Sequence, residues 1–455
     1  GESYTDPSEP CVRCTCNRGV VTCQVEECLP LTCMDGLMNF QPPDRCCEEC
    51  RDDAMPCMYL GESKLPGEEW LLDECTMCSC VGGEVMCMTE RCPPTHCESD
   101  ETPTLSPGMC CPRCMPRPAT CTTFGDPHYR TFDGKMIHFQ GTCVYTLAAD
   151  CDGGDFEVLV QNDDRGAFGA VSWTQESKIN VKGVEIELLQ QWVVKVNGQE
   201  VNLPYLRDPV LFIEKSGTTI LVNTEIGLKV LWNGHSYLEV SVPGTYKRKT
   251  CGLCGNFNNF PQDDMRLRNG QITNSAAVFG NSWKVNTPGS PACEDSEDLD
   301  PCVKAGYRAR KEANAKCLVL KSDKFLPCHR VINPEMYFAS CVYDLCACGS
   351  NDQCLCDALS AYAAECSAAG VVLNWRSPSM CAIGCPSERG LMFDECGPIC
   401  PRTCANKHTV LGDVPTPCFK PCIPSCQCPA GQVLWDNQCV TPGQCPDTGL
   451  YNIFR

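Results

Sequence analysis

An acid-sensitive peptide bond, Asp126-Pro127, lies in the stretch FGDPHYRTFDG at residues 124–134. The aspartate side chain can attack its own carbonyl carbon and close a five-membered anhydride, while the proline nitrogen leaves once it is protonated. A carboxyl group held near its target gains a large intramolecular advantage in rate. His128 follows, and an unperturbed histidine titrates near pH 6.5 and can supply or relay a proton. These residues predict either a self-cleavage site or a plain Gly-Asp-Pro turn.

Three further Asp-Pro bonds provide internal controls, because they lack the glycine before and the histidine after. They are Asp6-Pro7, Asp208-Pro209 and Asp300-Pro301. If the context matters, cutting should occur at Asp126-Pro127 and not equally at all four bonds.

An oxygen-rich loop is the best metal candidate in the chain. NFNNFPQDD places Asn256, Asn258, Asp263 and Asp264 within nine residues. Hard oxygen ligands at short spacing suit Ca²⁺, which takes six to eight oxygen ligands. The alternative is a loop whose Asn and Asp residues only form turns.

The pair Cys251 and Cys254, in CGLC, has the spacing of thiol–disulfide exchange sites. A redox-active cysteine needs a depressed pKa, often at the start of a helix. This pair follows a strand pattern and precedes an Asn-rich loop, without a βαβ pattern around it. We therefore favour two ordinary half-cystines.

The composition predicts an oxidising environment. The 455-residue chain contains 45 cysteines and only six histidines, which favours disulfides over zinc sites. A net charge of −20 argues against nucleic acid as a partner. We find no apolar run long enough to span a bilayer. Because the chain opens with Gly1-Glu2-Ser3 and not with a leader, we expect a mature or excised fragment of a secreted protein.

A cysteine pattern occurs twice in the first 114 residues, with an offset of 64. This indicates a duplicated disulfide module whose copies are too small to fold on apolar burial alone. A tenth cysteine, Cys57, precedes the second copy, and we expect its counterpart in the first copy to fall before residue 1. One thiol of the first module is then unpaired. The first copy contains Cys11, Cys14, Cys16, Cys23, Cys28, Cys33, Cys46, Cys47 and Cys50, and the second Cys75, Cys78, Cys80, Cys87, Cys92, Cys97, Cys110, Cys111 and Cys114.

Residues 136–245 change to an alternation of apolar and polar side chains. Phe156, Val158 and Val160 fall on one face of a strand, and Val184, Ile186 and Leu188 do so in another. Asn-Gly pairs at 197–198 and 233–234 signal tight turns. Strands about every ten residues predict an antiparallel β-sandwich or barrel. An alanine-rich stretch, DALSAYAAECSAAGV, predicts a helix farther along.

These patterns resemble known extracellular domains along nearly the whole chain. C-x2-C-x-C followed by CC-x2-C resembles the von Willebrand factor type C module, at 1–50 and 57–114. The motifs GDPHYRTFDG and CGLCGNFNNFPQDDM flank the strand-rich stretch, and together they resemble a type D domain at 119–285. Residues 300–381 look like the eight-cysteine helical module, with two additional cysteines assigned to linkers. Residues 385–445 resemble a trypsin-inhibitor-like module. The predicted fold class is thus a multidomain, disulfide-rich protein of small-β modules, a β-sandwich, a helical module and a disulfide-stapled end.

The resemblance also implies particular sites. In type D domains the oxygen-rich loop binds calcium together with the aspartate of TFDG, here Asp133, and a carbonyl near Phe260. The second loop ligand is often Asp, whereas this chain has Asn258. GDPH is a self-cleavage motif in type D domains of mucins and crossveinless-type proteins. A disulfide from Cys121 into the domain core should hold the two pieces together, and Cys143 and Cys151 are further half-cystines.

The domain order resembles that of crossveinless-type BMP-binding endothelial regulators and kielin/chordin-like proteins. The resemblance implies a secreted modulator that binds bone morphogenetic proteins, with related antagonists such as chordin as possible partners. The exposed apolar residues expected at the contact are Val20, Val21, Val25 and Leu29.

Two basic segments suggest attachment to heparan sulfate proteoglycans, with a solvated helix face as the alternative. They contain Lys247, Arg248 and Lys249, and then Arg308, Arg310 and Lys311. The competing functions for the whole chain are a structural matrix or mucus protein that assembles through disulfides, and a protease inhibitor that uses the loop between Cys404 and Cys418.

Overall fold

A computed structural model describes most of the chain, in two compact units, Gly1–Met115 and Pro116–Arg455. The described residues are 2–5, 9–42, 45–52, 54–106, 108–164, 172–286, 293–349, 351–398, 401–404 and 422–446. Asp6-Pro7 and the loop 405–417, singled out from the sequence, lie outside them.

The first unit consists of short antiparallel strands in small sheets. Two sheets have three strands, β1-β2-β3 and β10-β9-β8, and the other strands pair in twos. The strands are β1 Glu2–Thr5, β2 Val12–Asn17, β3 Val20–Val25, β4 Leu37–Phe40, β5 Glu49–Asp52, β6 Cys57–Tyr59, β7 Glu62–Lys64, β8 Glu69–Asp73, β9 Thr76–Val81, β10 Glu84–Thr89, β11 Glu101–Thr104 and β12 Arg113–Pro116, which reaches the unit boundary.

Equivalent disulfides hold the two copies of the cysteine pattern. The first copy has Cys11–Cys46, Cys14–Cys23, Cys28–Cys47 and Cys33–Cys50, and the second has Cys75–Cys110, Cys78–Cys87, Cys92–Cys111 and Cys97–Cys114. Cys57 pairs with Cys80. The counterpart of Cys80 in the first copy is Cys16, an exposed cysteine without a disulfide in the described part of the chain.

The second unit begins with two antiparallel sheets that enclose a common core. Their strand orders are β15-β14-β13-β26-β25-β24-β23-β22 and β21-β20-β19-β18-β17-β16-β27. The strands are β13 Ala119–Phe124, β14 His128–Arg130, β15 Met136–His138, β16 Val144–Asp150, β17 Phe156–Asp164, β18 Ser172–Val181, β19 Val184–Leu188, β20 Val194–Val196, β21 Gln199–Glu200, β22 Tyr205–Arg207, β23 Leu211–Ser216, β24 Thr219–Thr224, β25 Lys229–Trp232, β26 Leu238–Val242 and β27 Thr250–Cys251.

Alternation of side chains builds this core. Phe156, Val158 and Val160 of β17 are all buried, while the residues between them are less so. Asn197 and Gly198 form the two-residue hairpin between β20 and β21, with φ values of 50° and 77°. Positive φ at both turn positions is what an Asn-Gly hairpin supplies. The predicted β-sandwich is therefore confirmed.

Helices follow the sandwich, and disulfides tie them together. They are α1 Ala276–Ser282, α2 Pro301–Ala305, α3 Tyr307–Cys317, α4 Leu326–His329, α5 Glu335–Ala347 and α6 Asp352–Ala368, with short 3-10 helices at Gln190–Trp192, Gly244–Tyr246, Pro261–Asp263, Leu318–Lys321, Ser387–Arg389 and Pro442–Gln444. Five disulfides close among the helices: Cys302–Cys346, Cys317–Cys341, Cys328–Cys366, Cys348–Cys354 and Cys356–Cys381. All ten cysteines of this module thus pair within it, so none serves a linker.

The sandwich and the helical module share a core. Phe124, the last residue of β13, is buried among the helices and stacks on Tyr337 of α5 at 5.9 Å between ring centroids. Arg130 of β14 forms an ion pair with Glu365 of α6 at 3.0 Å. The end of β13 and the strand β14 are therefore fixed against α5 and α6.

The described part of the C-terminal segment contains two antiparallel strand pairs. They comprise β28 Met392–Gly397 with β29 Ile423–Gln427, and β30 Val433–Trp435 with β31 Gln438–Val440. The disulfides here are Cys385–Cys426, Cys396–Cys422, Cys404–Cys445 and Cys428–Cys439. Ile423 packs on Leu221 and Leu231 of the sandwich. Among the described helices, none is both long and apolar enough to cross a membrane.

Candidate functional site

Residues Gly125, Asp126 and Pro127 form the turn of the hairpin between β13 and β14, with Phe124 opposite His128. Gly125 has a φ of 63°, which favours glycine, and a Cβ atom there would overlap the carboxylate of Asp344 in α5. The turn is thus pressed against the helical module, and both the conformation and the contact require glycine.

The peptide bond after Asp126 lies in a buried environment. Asp126 is only 1% exposed. The side-chain amide of Gln140, two residues after β15, donates a hydrogen bond from Nε2 to the backbone carbonyl oxygen of Asp126 at 3.0 Å. That carbonyl belongs to the Asp126-Pro127 bond.

A buried chain of polar groups runs from β15 to α5. Nδ1 of His138 lies 2.5 Å from Nδ1 of His128, and Nε2 of His128 hydrogen-bonds with the carboxylate of Asp344. The ring of His138 stacks on that of Tyr343. Since two Nδ1 atoms share one hydrogen bond, one histidine donates through this nitrogen and the other accepts.

Burial lowers the pKa of His128 to about 3. Burial lowers the pKa of His138 to about 3 as well, with a contribution from the positive charge that His128 would carry. His128 is therefore perturbed, because its ring is completely enclosed. Burial disfavours its protonated form, whereas the carboxylate of Asp344 at Nε2 favours that form.

The oxygen-rich loop is joined to the segment after β14 through Asp133. The carboxylate of Asp133 accepts backbone hydrogen bonds from Asn258 at 3.1 Å and from Asn259 at 2.8 Å. Phe257 and Asn259 have φ values of 49° and 68°, which turn the loop sharply. The TFDG segment and the loop, far apart in sequence, thus come together.

Within the loop, Asp263 ties the two asparagines together. Its carboxylate accepts hydrogen bonds from the amides of Asn258 at 2.9 Å and Asn256 at 3.3 Å, and an ion pair from Arg266 at 3.2 Å. The Oδ1 atom of Asn258 accepts from the backbone N–H of Phe260, whose side chain is 60% exposed.

Asp264 lies beneath this loop and is 1% exposed. One oxygen accepts a hydrogen bond from the hydroxyl of Thr131 at 2.5 Å. Burial, together with the negative charges of Asp133 and Asp263, raises the pKa of Asp264 to about 7. Gly255 permits this packing, since a Cβ there would overlap the Asp264 carboxylate.

Two buried oxygens of this cluster have no hydrogen-bond partner in the described structure: Oδ1 of Asn256 and Oδ1 of Asp264. Buried oxygens without partners cost free energy, and a bound cation is one way to satisfy them. Clustered carboxylate and amide oxygens are the donor set that Ca²⁺ prefers. The residues present therefore fit a calcium ion.

The other residues singled out from the sequence lie on separate elements. Lys247, Arg248 and Lys249 follow the Gly244–Tyr246 turn, whereas Arg308, Arg310 and Lys311 lie on α3. Arg310 lines a cavity of about 1000 Å³ together with the acidic residues Glu294, Glu297 and Glu335. Val20, Val21, Val25 and Leu29 are exposed by 63%, 63%, 69% and 88%.

The CGLC cysteines do not bond to each other. Cys251 pairs with Cys151 and Cys254 with Cys121, while Cys143 pairs with Cys293. Each is a structural half-cystine that joins distant parts of the sandwich. Sequence reasoning did not find Thr131, His138, Gln140 or Asp344 at these sites, and for Asp344 no local pattern pointed there.

Models of four protein families match the chain. They are the von Willebrand factor type C domain at 57–114, the von Willebrand factor type D domain at 121–271, the C8 domain at 316–382 and the trypsin-inhibitor-like cysteine-rich domain at 385–445. The first copy of the cysteine pattern has the same local disulfides as the matched type C domain.

Similar proteins include SCO-spondin from Bos taurus, zonadhesin from Sus scrofa and von Willebrand factor from Bos taurus. They are 31%, 32% and 31% identical over 95%, 91% and 98% of this chain. The chain spans 7%, 17% and 44% of their lengths. Together, the matched ranges identify this chain as an extracellular-type protein that contains type C, type D, C8 and trypsin-inhibitor-like domains in that order.

Proposed function

We propose that this chain is a structural segment of a secreted matrix or adhesion protein. The observation that carries the proposal is the shared core of the second unit. Phe124 of the type D domain packs into the C8 helices, and Ile423 of the trypsin-inhibitor-like domain packs on the sandwich. Three domains thus form one disulfide-stapled body, and a protein segment that carries mechanical force requires such a body. SCO-spondin, von Willebrand factor and alpha-tectorin are among the relatives of similar sequence.

Covalent assembly tests this proposal. Cys16 has no disulfide in the described structure, but its repeat counterpart Cys80 pairs with Cys57, so its thiol is not counted toward assembly. The secreted chain should form covalent oligomers that disappear on reduction and persist in Cys16→Ser. Light scattering and non-reducing electrophoresis measure this. A strictly monomeric wild-type chain under oxidising conditions would contradict it.

Growth-factor binding is the second candidate, and the exposed apolar side chains of the first type C module favour it. Val21 and Val25 lie on the same face of β3, because side chains alternate along a strand. In surface plasmon resonance against bone morphogenetic proteins, the double change to serine should weaken binding, and Thr22→Ala on the opposite face should not. No wild-type response at micromolar growth factor excludes this function for the chain.

A calcium ion is the third part of the proposal. Asp133, Asn256, Asn258, Asp263 and Asp264 would hold it, with the backbone near Phe260, and the ion would supply positive charge to the buried carboxylates. Ca²⁺ should raise the melting temperature of the wild type relative to chelator, and not that of Asp133→Ala. The exposed control Glu200→Ala should behave like the wild type. An unchanged wild-type melting temperature rules the ion out.

Self-cleavage between Asp126 and Pro127 completes the proposal as a processing step. The burial of Asp126 and the hydrogen bond from Gln140 to its carbonyl oxygen support this step. Cys121–Cys254 would keep the pieces joined, so the cut should appear only on a reducing gel. Asp126→Ala should abolish it, and an uncut wild-type chain after incubation near pH 5.5 would end the idea.

Heparan sulfate attachment is a further proposal for the basic residues. Changing Lys247, Arg248 and Lys249 together to serine should lower the salt concentration that elutes the chain from heparin, because the sulfate groups of heparin are attracted by local positive charge. Changing Arg308 and Lys311 to serine, with the same elution measurement, tests whether α3 contributes to heparin binding. Elution of the wild type without added salt would contradict the attachment.

A further inference from the structure

We infer that Gln140 is a catalytic hydrogen-bond donor for cleavage of the Asp126-Pro127 bond; this inference rests on the proposed self-cleavage. Its Nε2 atom lies 3.0 Å from the carbonyl oxygen of Asp126, the oxygen on which negative charge develops during attack. A donor that already points at this oxygen stabilises the transition state without reorganising.

The reaction balances without any co-reactant except water. An oxygen of the Asp126 carboxyl group forms a bond to the carbonyl carbon of Asp126, and that carbonyl becomes tetrahedral. The bond to the Pro127 nitrogen then breaks, and its electron pair takes the proton that the carboxyl group gives up. Water hydrolyses the five-membered anhydride, which leaves a C-terminal Asp126 and a secondary amine at Pro127.

The surroundings make one donor effective. Because Asp126 is 1% exposed, little water competes with Gln140 for the carbonyl oxygen. The backbone of Gln140 is also held in place, since its carbonyl accepts a hydrogen bond from the hydroxyl of Ser296 at 2.9 Å. The amide of Gln140 is neutral at every pH of the secretory pathway, so it donates throughout.

Removing one donor of this kind slows related reactions by about 10²–10³-fold. We expect Gln140→Met to slow cleavage by about 10²-fold at every pH. Gln140→Glu has nearly the same shape, but it donates only when its carboxyl group is protonated. Its rate relative to the wild type should therefore rise steadily as the pH falls, whereas the relative rate of Gln140→Met should stay constant.

The experiment follows the first-order appearance of the two fragments of the full chain on reducing gels between pH 5.0 and 7.0. The exposed glutamine of the hairpin at β21 provides a matched control, Gln199→Met, which should cut at the wild-type rate. Melting curves confirm that each variant is folded. The bonds at Asp208 and Asp300 serve as internal references in every lane.

The possible outcomes distinguish a failure of self-cleavage from a failure of the role of Gln140. An uncut wild-type chain overturns self-cleavage itself, and this inference with it. A wild type that cuts, with folded Gln140→Met cutting at the same rate, overturns only the role of Gln140. Equal and pH-independent slowing in Gln140→Met and Gln140→Glu also overturns it, because loss of packing alone would produce that result.

Discussion

Acidification should destabilise the contact between the type D and C8 domains through the buried histidine pair. His138 has a folded-state pKa of about 3, whereas an unfolded histidine titrates near 6.5. The unfolded chain therefore binds more protons in the range between these values. The contribution of a neutral His138 to stability is fully present above pH 6.5 and is lost progressively as the pH falls toward 3.

The magnitude follows from these two pKa values. Between pH 7.4 and pH 5.5, protonation of one such histidine in the unfolded chain lowers the free energy of unfolding by roughly 1 kcal/mol. His128 is shifted in the same direction, but the carboxylate of Asp344 at its Nε2 favours its protonated form. The pair together should therefore lower the free energy of unfolding by roughly 1 to 3 kcal/mol.

The assay is urea unfolding of the disulfide-intact chain at both pH values, for the wild type and for His138→Gln. Asp264 has a raised pKa, so its protonation stabilises the folded state as the pH falls and opposes the effect. The difference between the two proteins cancels Asp264 and all other shared groups. The wild type should lose roughly 1 kcal/mol more than His138→Gln.

The exposed His235 provides a matched control in the same domain, and His235→Gln should retain the wild-type pH dependence. If wild type and His138→Gln lose stability equally between pH 7.4 and 5.5, the histidine pair does not titrate as its burial requires. The reasoning would then be refuted.

Other changes have equally direct outcomes. Gly125→Ala should destabilise the second unit by about 1–3 kcal/mol in thermal melts, because it adds both backbone strain and overlap with Asp344. Gly154→Ala, with a similar φ of 73° and open space around it, should destabilise less. Equal losses of stability would show that the contact of Gly125 with Asp344 is unimportant. Cys57→Ser should free the thiol of Cys80 and destabilise the second type C module by about 2–4 kcal/mol, and a thiol titration that detects no additional thiol would contradict the disulfide. In chelator, the wild type should gain stability on acidification from pH 7.4 to 5.5, and Asp264→Asn should lack this gain. With Ca²⁺ bound, the wild type and Asp264→Asn should no longer differ in pH dependence. Urea unfolding at both pH values, with and without Ca²⁺, measures these free energies.

Local patterns predicted the elements that depend on neighbouring residues. Alternation identified β17 and β19, and the Asn197-Gly198 pair identified a hairpin, because strand faces and turn conformations are set within a few residues. The duplicated cysteine pattern likewise predicted two equivalent modules. The loop that contains Asn256 and Asp264 was also evident as a cluster of oxygen ligands.

Contacts across long separations were beyond such patterns. The approach of Asp344 to His128 depends on how α5 packs on the sandwich, and nothing near either residue signals it. The lowered pKa of His128 could not be foreseen for the same reason, since its burial involves a different domain. Disulfide partners such as Cys151 and Cys251 also follow from the fold, because many pairings are compatible with one spacing.

The disulfide between Cys121 and Cys254 has a mechanical consequence. A pull on the start of β13 is transmitted directly to the end of the sandwich, and the 133-residue separation between the two cysteines never comes under tension. At about 3.4 Å per residue, roughly 450 Å of contour length is withheld from extension. The overlapping Cys143–Cys293 bond encloses the remaining part of the domain in the same way. Under stretching, this region would behave as a short, nearly inextensible link until it is reduced, and would lengthen abruptly afterwards.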